Sequence, residues 1–414
     1  ELKAGDLILK VAQGPAEPVD VVDMKLDDAI QLIRGKKGTE VRLTVKKPDG
    51  SIVVIPIIRE VVVIEESFAK SALMTYKGKK FGLIHLPSFY ADFSQRGRGR
   101  NCAGDVRTEI SKLQKEGATG IVIDLRNNGG GSLADAIEMG GLFIPQGPIV
   151  QVKDMRGIEV HTDRNPAVEY GGPLVILTNT YSASASEILA AALQDYGRAV
   201  IVGSKSTFGK GTVQTFVELP GGLSDVFPRG FGQLKVTIQK FYRINGGTTQ
   251  LRGVEPDVVL PDVYDGIEQG EKEMDFHLAY DKIPAAAYQS YNPYKESQRR
   301  KAIELSKKRL SKNEYYALVQ KRSAELAQVR NEYTYSLNLK KFEAQQEALR
   351  LQDKPLRDYK YRTVCDTVMA LQGDLKEAGA DAIKLAQKQD WLKRYREDAG
   401  LDEAVRILFD WSGK

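Results

Sequence analysis

The sequence is short of the residues that mark several common chemistries. It has two cysteines, Cys102 and Cys365, far apart and outside any metal-ligand spacing. That argues against a disulfide framework and against a zinc site, and leaves one long-range bridge open. The three histidines are His85 in a strand-like run, His161 in a polar loop and His277 near a domain boundary. None adjoins a loop of catalytic character, so a histidine-based triad has no obvious seat. No apolar run reaches the ~18 residues of a membrane-crossing helix. No signal peptide is visible, and the chain opens at Glu1 in the middle of a motif, as a fragment or trimmed form would. Sixty basic and 55 acidic residues leave a net charge of only +5. They are interspersed, as on a solvated surface, and nucleic acid is not expected as a partner.

What is present is a globular composition, 42% hydrophobic and 28% charged over 414 residues, long enough for two to four domains. Residues 1–60 read as a small β-rich unit. Leu26, Ala29, Ile30 and Ile33 mark one face of a short helix, and Val41, Leu43 and Val45 alternate with polar neighbours in a strand. Pro48-Asp49-Gly50 turns the chain into a return strand. This order resembles a PDZ domain whose front is missing. Residues 61–262 alternate strands and helices, with continuous apolar runs at 120–125 and 173–178, the pattern of an α/β core whose sheet is covered on both faces. Residues 263–414 are rich in Lys, Glu, Gln and Ala and read as a mainly helical domain. One strand is expected at Tyr333, Tyr335, Leu337 and Leu339, which alternate with polar residues. A mobile loop is expected at 96–100, and a last helix carries Leu401, Ala404, Val405 and Leu408 with Trp411.

The chemistry concentrates between 124 and 214. Ser182, Ser184 and Ser186 open a helix, and Lys210 follows between Gly209 and Gly211. A serine hydroxyl needs a base to become a nucleophile, and a lysine serves only when neutral. At its ordinary pKa about one lysine in a thousand is neutral near pH 7.4, and burial raises that fraction. Gln214 shares a strand face with Lys210 if the strand is regular, where it can hold the amine without adding charge. Ser184 and Glu187 also fit a capping box, so the serine cluster reads equally as a helix start. The glycines at 129–131 can offer backbone amides to an anion or an oxyanion. They lack the dinucleotide fingerprint. Gly203–Thr212 is no P-loop, because five residues separate Gly203 from Gly209 and glycine follows Lys210. Asp195 is expected to partner Arg198 or a backbone amide.

The segments 182–188, 194–199 and 207–214, together with Asp-Leu-Arg-Asn-Asn-Gly-Gly-Gly at 124–131 and Gly-Val-Glu-Pro-Asp at 253–257, resemble the C-terminal processing, or tail-specific, peptidases. The tail resembles the extension of that family's longer subgroup. The resemblance implies a crotonase/ClpP-like α/β protease core behind a truncated PDZ-like unit, with a helical C-terminal domain. It implies Ser184 as nucleophile, Lys210 as general base and Gln214 as its orienter, with an oxyanion hole from Gly131, Gly130 and the Ala185 amide. Substrates would be proteins with apolar C-terminal tails, in the periplasm or cell envelope, with an envelope adaptor as a further partner and no cofactor. The competing expectation is a PDZ-type scaffold that holds tails without cutting them.

Overall fold

The computed structural model describes all residues except 1, 4, 62–66, 93–98, 220–231, 295, 331–333, 380 and 414. The chain divides into two compact units, Glu1–Glu65 and Glu66–Lys414. Most of the expected loop at 96–100 lies outside the described residues.

In the first unit β1 (Leu7–Gln13), β2 (Val19–Asp20), α1 (Leu26–Ile33), β3 (Glu40–Lys46) and β4 (Ile52–Ile58) follow one another. The strands form one sheet in the order β2-β1-β3-β4. Val11, Val41, Leu43 and Val45 make its small core, with Leu32 and Ile33 of α1 packed against them.

The second unit runs β5 (Lys70–Tyr76), β6 (Lys79–His85), α2 (Cys102–Lys115), β7 (Ile121–Asp124), α3 (Leu133–Gly141), β8 (Gly147–Asp154) and β9 (Gly157–Asp163). It continues through β10 (Leu174–Thr178), α4 (Ala185–Asp195), β11 (Val200–Gly203), β12 (Thr212–Glu218), β13 (Gln233–Tyr242) and β14 (Val258–Val259). It ends with α5 (Glu296–Leu310), α6 (Glu314–Arg330), α7 (Leu339–Arg357), β15 (Thr367–Met369), α8 (Gln372–Ala378), α9 (Ala382–Arg396) and α10 (Ala399–Trp411). The central sheet has the order β14-β11-β10-β7-β6-β5-β15. Its pairs from β14 to β6 are parallel, and β5 and β15 add antiparallel at one edge. A second, antiparallel sheet runs β12-β13-β8-β9.

The continuous apolar runs of β7, β10 and β11 are explained by helices on both faces. Ile121, Ile123, Leu174, Ile176 and Ile201 enter one core with α2, α3 and α4. Their alternates Val122, Val175, Leu177, Val200 and Val202 enter the other with Leu401, Ala404, Val405, Leu408 and Trp411 of α10. The C-terminal stretch therefore supplies a layer of the central core and one strand of its sheet. The expected strand at 333–339 does not form among the described residues, since Leu339 begins α7. Alternation over so few exposed residues is a weak signal, and Leu337 is fully exposed.

Because Leu408 is fully buried against the sheet, Leu408→Ala should cost about 2–5 kcal/mol. The same change at Leu305, 36% exposed on α5, should cost under about 1 kcal/mol. Both tryptophans, Trp391 and Trp411, lie in the second unit, so denaturation followed by their fluorescence reads that unit alone.

Candidate active site

Two loops leave the carboxyl ends of neighbouring parallel strands, where open α/β sheets place their ligands. The loop after β7 carries residues 125–132, and the loop after β10 carries 179–184. Of the three serines, Ser182 and Ser186 are fully buried and their hydroxyls are committed. Ser182 donates to the Leu125 carbonyl and Ser186 to the Asn128 carbonyl, both at 2.8 Å. Ser184 alone is partly exposed. It sits at the start of α4 with φ 56° and ψ −113°, a left-handed backbone that costs a non-glycine residue on the order of 1–3 kcal/mol. The capping box with Glu187 is present.

Glu187 does more than cap. It is fully buried, and its carboxylate accepts four hydrogen bonds. Oε2 takes the backbone amides of Ser184 at 2.7 Å and Lys210 at 3.0 Å. Oε1 takes the Gly209 amide at 2.8 Å and the Thr207 hydroxyl at 2.6 Å. One oxygen thus joins the serine turn to the lysine loop, and the two nitrogens stand no further apart than those two distances summed. Phe208 N, donating to Ser182 O at 3.0 Å, adds a second stitch. The sequence marked Glu187 only as a cap, because nothing local shows that a loop twenty residues on reaches the same carboxylate. Burial pushes its pKa up to about 7, against the opposing pull of the four donors.

Lys210 is half-buried. Burial and then the charge of Lys235 hold its pKa below the usual lysine value, while Glu271 and Glu187 pull weakly the other way. Lys210 precedes β12, and Gln214 lies within that strand, where the pairing with β13 passes over Ile238. Gln214 is exposed and its amide donates to Thr237 Oγ1 at 3.4 Å.

The glycine loop lies directly on the serine turn. A Cβ on Gly130, at φ +98°, would stand 2.7 Å from Ser184 Cβ and 2.9 Å from Ala185 N, so no side chain fits there. A Cβ on Gly131, at φ +142°, would overlap the Phe89 carbonyl. The Gly130 amide donates to Asn128 Oδ1 at 2.9 Å. Among the described residues the amides of Gly131 and Ala185 have no such commitment. Ala183 N binds the Asn128 carbonyl at 3.0 Å, tying the two loops together.

Elsewhere Asp195 pairs with Arg243 at 2.5 Å, not with Arg198. Arg198 is fully buried and donates instead to the carbonyls of Phe143 and Tyr170. None of the three histidines shares a hydrogen bond with Ser184 among the described residues. His85 is a half-buried strand residue, and His277 bonds Met274 O at 2.8 Å.

Residues 80–260 match the model of peptidase family S41, and residues 264–413 match the C-terminal domain of tail-specific protease. Residues 80–260 belong to peptidase family S41. The chain is 43% identical over 290 residues to a tail-specific protease of Haemophilus influenzae, covering 70% of this chain and 40% of that protein. It is 36% identical over 261 residues to a carboxyl-terminal-processing protease of Picosynechococcus, covering 63% of this chain and 57% of that one. It thus spans about half the length of the curated relatives it matches. A solved PDZ domain of a carboxy-terminal protease from Vibrio cholerae, in complex with a peptide, is 42% identical over 14% of this chain and 63% of that one, with a TM-score of 0.14.

The raised pKa of Glu187 has a signed consequence. An unfolded glutamate titrates near 4.5 and the folded one near 7, so between these values the folded state holds the extra proton. The stability so gained is fully present below about pH 4.5 and is lost as pH rises through 7. Denaturation followed by tryptophan fluorescence should show the second unit weakening from pH 5 to 8. Glu187→Gln should flatten that slope and lower overall stability, because an amide cannot accept from donors on both of its atoms.

Proposed function

We propose that this chain is the catalytic portion of a serine endopeptidase that cuts polypeptides by acyl transfer, with Ser184 as nucleophile and Lys210 as general base. The observation that carries the reading is the single Glu187 oxygen bonded to the amides of both residues. Neutral Lys210 takes the proton of Ser184 Oγ as that oxygen attacks the scissile carbonyl carbon. The oxyanion forms against the uncommitted amides of Gly131 and Ala185, at the positive end of α4. The protonated lysine then delivers its proton to the leaving amine, and water releases the acyl group with the same lysine as base. A strained serine at a strand-to-helix turn suits this role, because the turn lifts the hydroxyl out of the sheet. In this reading Gln214 orients the Lys210 amine, and the lysine loop is held by Glu187 and by Thr249 Oγ1 donating to Lys210 O at 3.2 Å.

The first unit is read as the PDZ-like element that receives apolar C-terminal tails. Support comes from its four-stranded sheet with an amphipathic helix, from exposed Val19, Val22 and Leu26 beside β2 and α1, and from the likeness to a peptide-bound PDZ domain in sequence. The parallel strands with helices on both faces fit a crotonase/ClpP-like core. Work on envelope proteins rests on the resemblance alone.

Ser184→Ala and Lys210→Ala should each abolish cleavage of an unfolded protein with an apolar tail, read by mass spectrometry, with circular dichroism unchanged. Cleavage by purified Ser184→Ala would reject the assignment. In the wild type kcat/KM should rise with pH through an apparent pKa below that of free lysine, since burial of Lys210 lowers it and ionised Glu187 is the form that accepts all four bonds. A flat profile to pH 10 would remove Lys210 as the base.

A further inference from the structure

Arg126 lies between the end of β7 and the glycine loop. Its guanidinium is gripped from two sides. Nε and Nη2 bond Asp124 at 2.9 and 2.7 Å, and Nη1 and Nη2 bond Asp398 at 3.1 and 2.6 Å. Tyr395 of α9 donates to Asp124 Oδ2 at 3.1 Å. Asp398 is also the N-cap of α10, accepting from Leu401 N at 2.9 Å. The C-terminal helices therefore hold, with a fork-to-fork ion pair, the residue that launches the glycine loop.

From Arg126 the connection runs directly into the site. Asn127, at φ 61°, and Asn179 exchange two hydrogen bonds of 2.9 Å. Asn179 N donates to Ser182 Oγ at 2.9 Å, two residues before Ser184. Asn128 then holds the Gly130 amide and accepts from Ala183 N. A cavity of about 560 Å³, lined by Arg126, Asn127, Asn179 and Asp398 among others, adjoins the pair. The bonds to Asp124 and Asp398 together set the place of the guanidinium beside it.

We propose that Asp398 is a positioning residue for the peptidase reaction, fixing through Arg126 the glycine loop that presents the oxyanion donors. This rests on the Ser184/Lys210 reading. A shift of about 1 Å in such donors can cost on the order of a hundredfold in rate.

Asp398→Asn is the informative variant, because asparagine still caps α10 while the carboxylate that faces Arg126 opposite Asp124 is lost. With a fluorogenic peptide, kcat should fall tenfold or more while KM and the melting temperature stay within error. Arg126→Lys should fall similarly, and the double variant should be no worse than the poorer single one, since both act through one contact. Asp398→Ser, a second capping residue too short to reach Arg126, should behave like Asp398→Asn and serves if that variant folds badly. Unchanged kcat in these variants, or losses that multiply in the double variant, would overturn the inference. Ser184→Ala run alongside separates the two failures. If it is inactive while Asp398→Asn is fully active, only the role of Asp398 falls, and if it is active the dyad reading falls first.

Discussion

The Glu187 carboxylate is the joint on which the site depends. A buried carboxylate is costly unless its oxygens are filled with donors. Here three backbone amides and one hydroxyl fill them, drawn from the turn after β10 and the loop after β11. Leaving that acceptor short would cost about 1–3 kcal/mol for each donor lost. The strained backbone of Ser184 persists because this bond and the Gly130 contact over-determine it. The carboxylate thus converts the folding of two separate loops into one fixed geometry.

Much of this was legible from residue type. The runs at 120–125 and 173–178 could only be strands buried on both faces, and they are β7 and β10, with alternate residues entering two cores. The serine cluster, the lysine between glycines and the glycine loop stood out because each residue is unusual in its place. What stayed hidden was relational. Glu187 looks local in sequence, and its reach to 207–210 appears only when β11 returns beside β10. The irregularity where Ile238 of β13 is passed over beside Val213 and Gln214 has no glycine or proline to mark it. β15 is three residues long and paired to an edge, too short for any period to register. Asp195 found Arg243, a residue of the β13 turn, instead of the neighbouring Arg198 that proximity in sequence favoured.

The C-terminal helices illustrate the same limit. Their composition reads as a solvated helical domain, and much of α7 is indeed exposed. Yet α10 is the most buried helix among them, and its Leu401, Ala404, Val405 and Leu408 close the second face of the sheet. Its first residue is preceded by the aspartate that holds Arg126. Coverage of the sheet and the contact to Arg126 therefore arise from one helix start.

The placement of Lys210 resolves a conflict that an anionic joint creates. A carboxylate beside a catalytic lysine favours the ammonium form, which cannot accept a proton. An ion pair between Lys210 and Glu187 would stabilise the charge state in which Lys210 could not serve as the proposed base. The fold presents the backbone N–H of Lys210 to Glu187, not its ammonium. The carboxylate spends its lone pairs on neutral donors, so its upward pull on the lysine ranks behind burial and Lys235. The same bond that fixes where the lysine stands leaves its amine free to lose a proton.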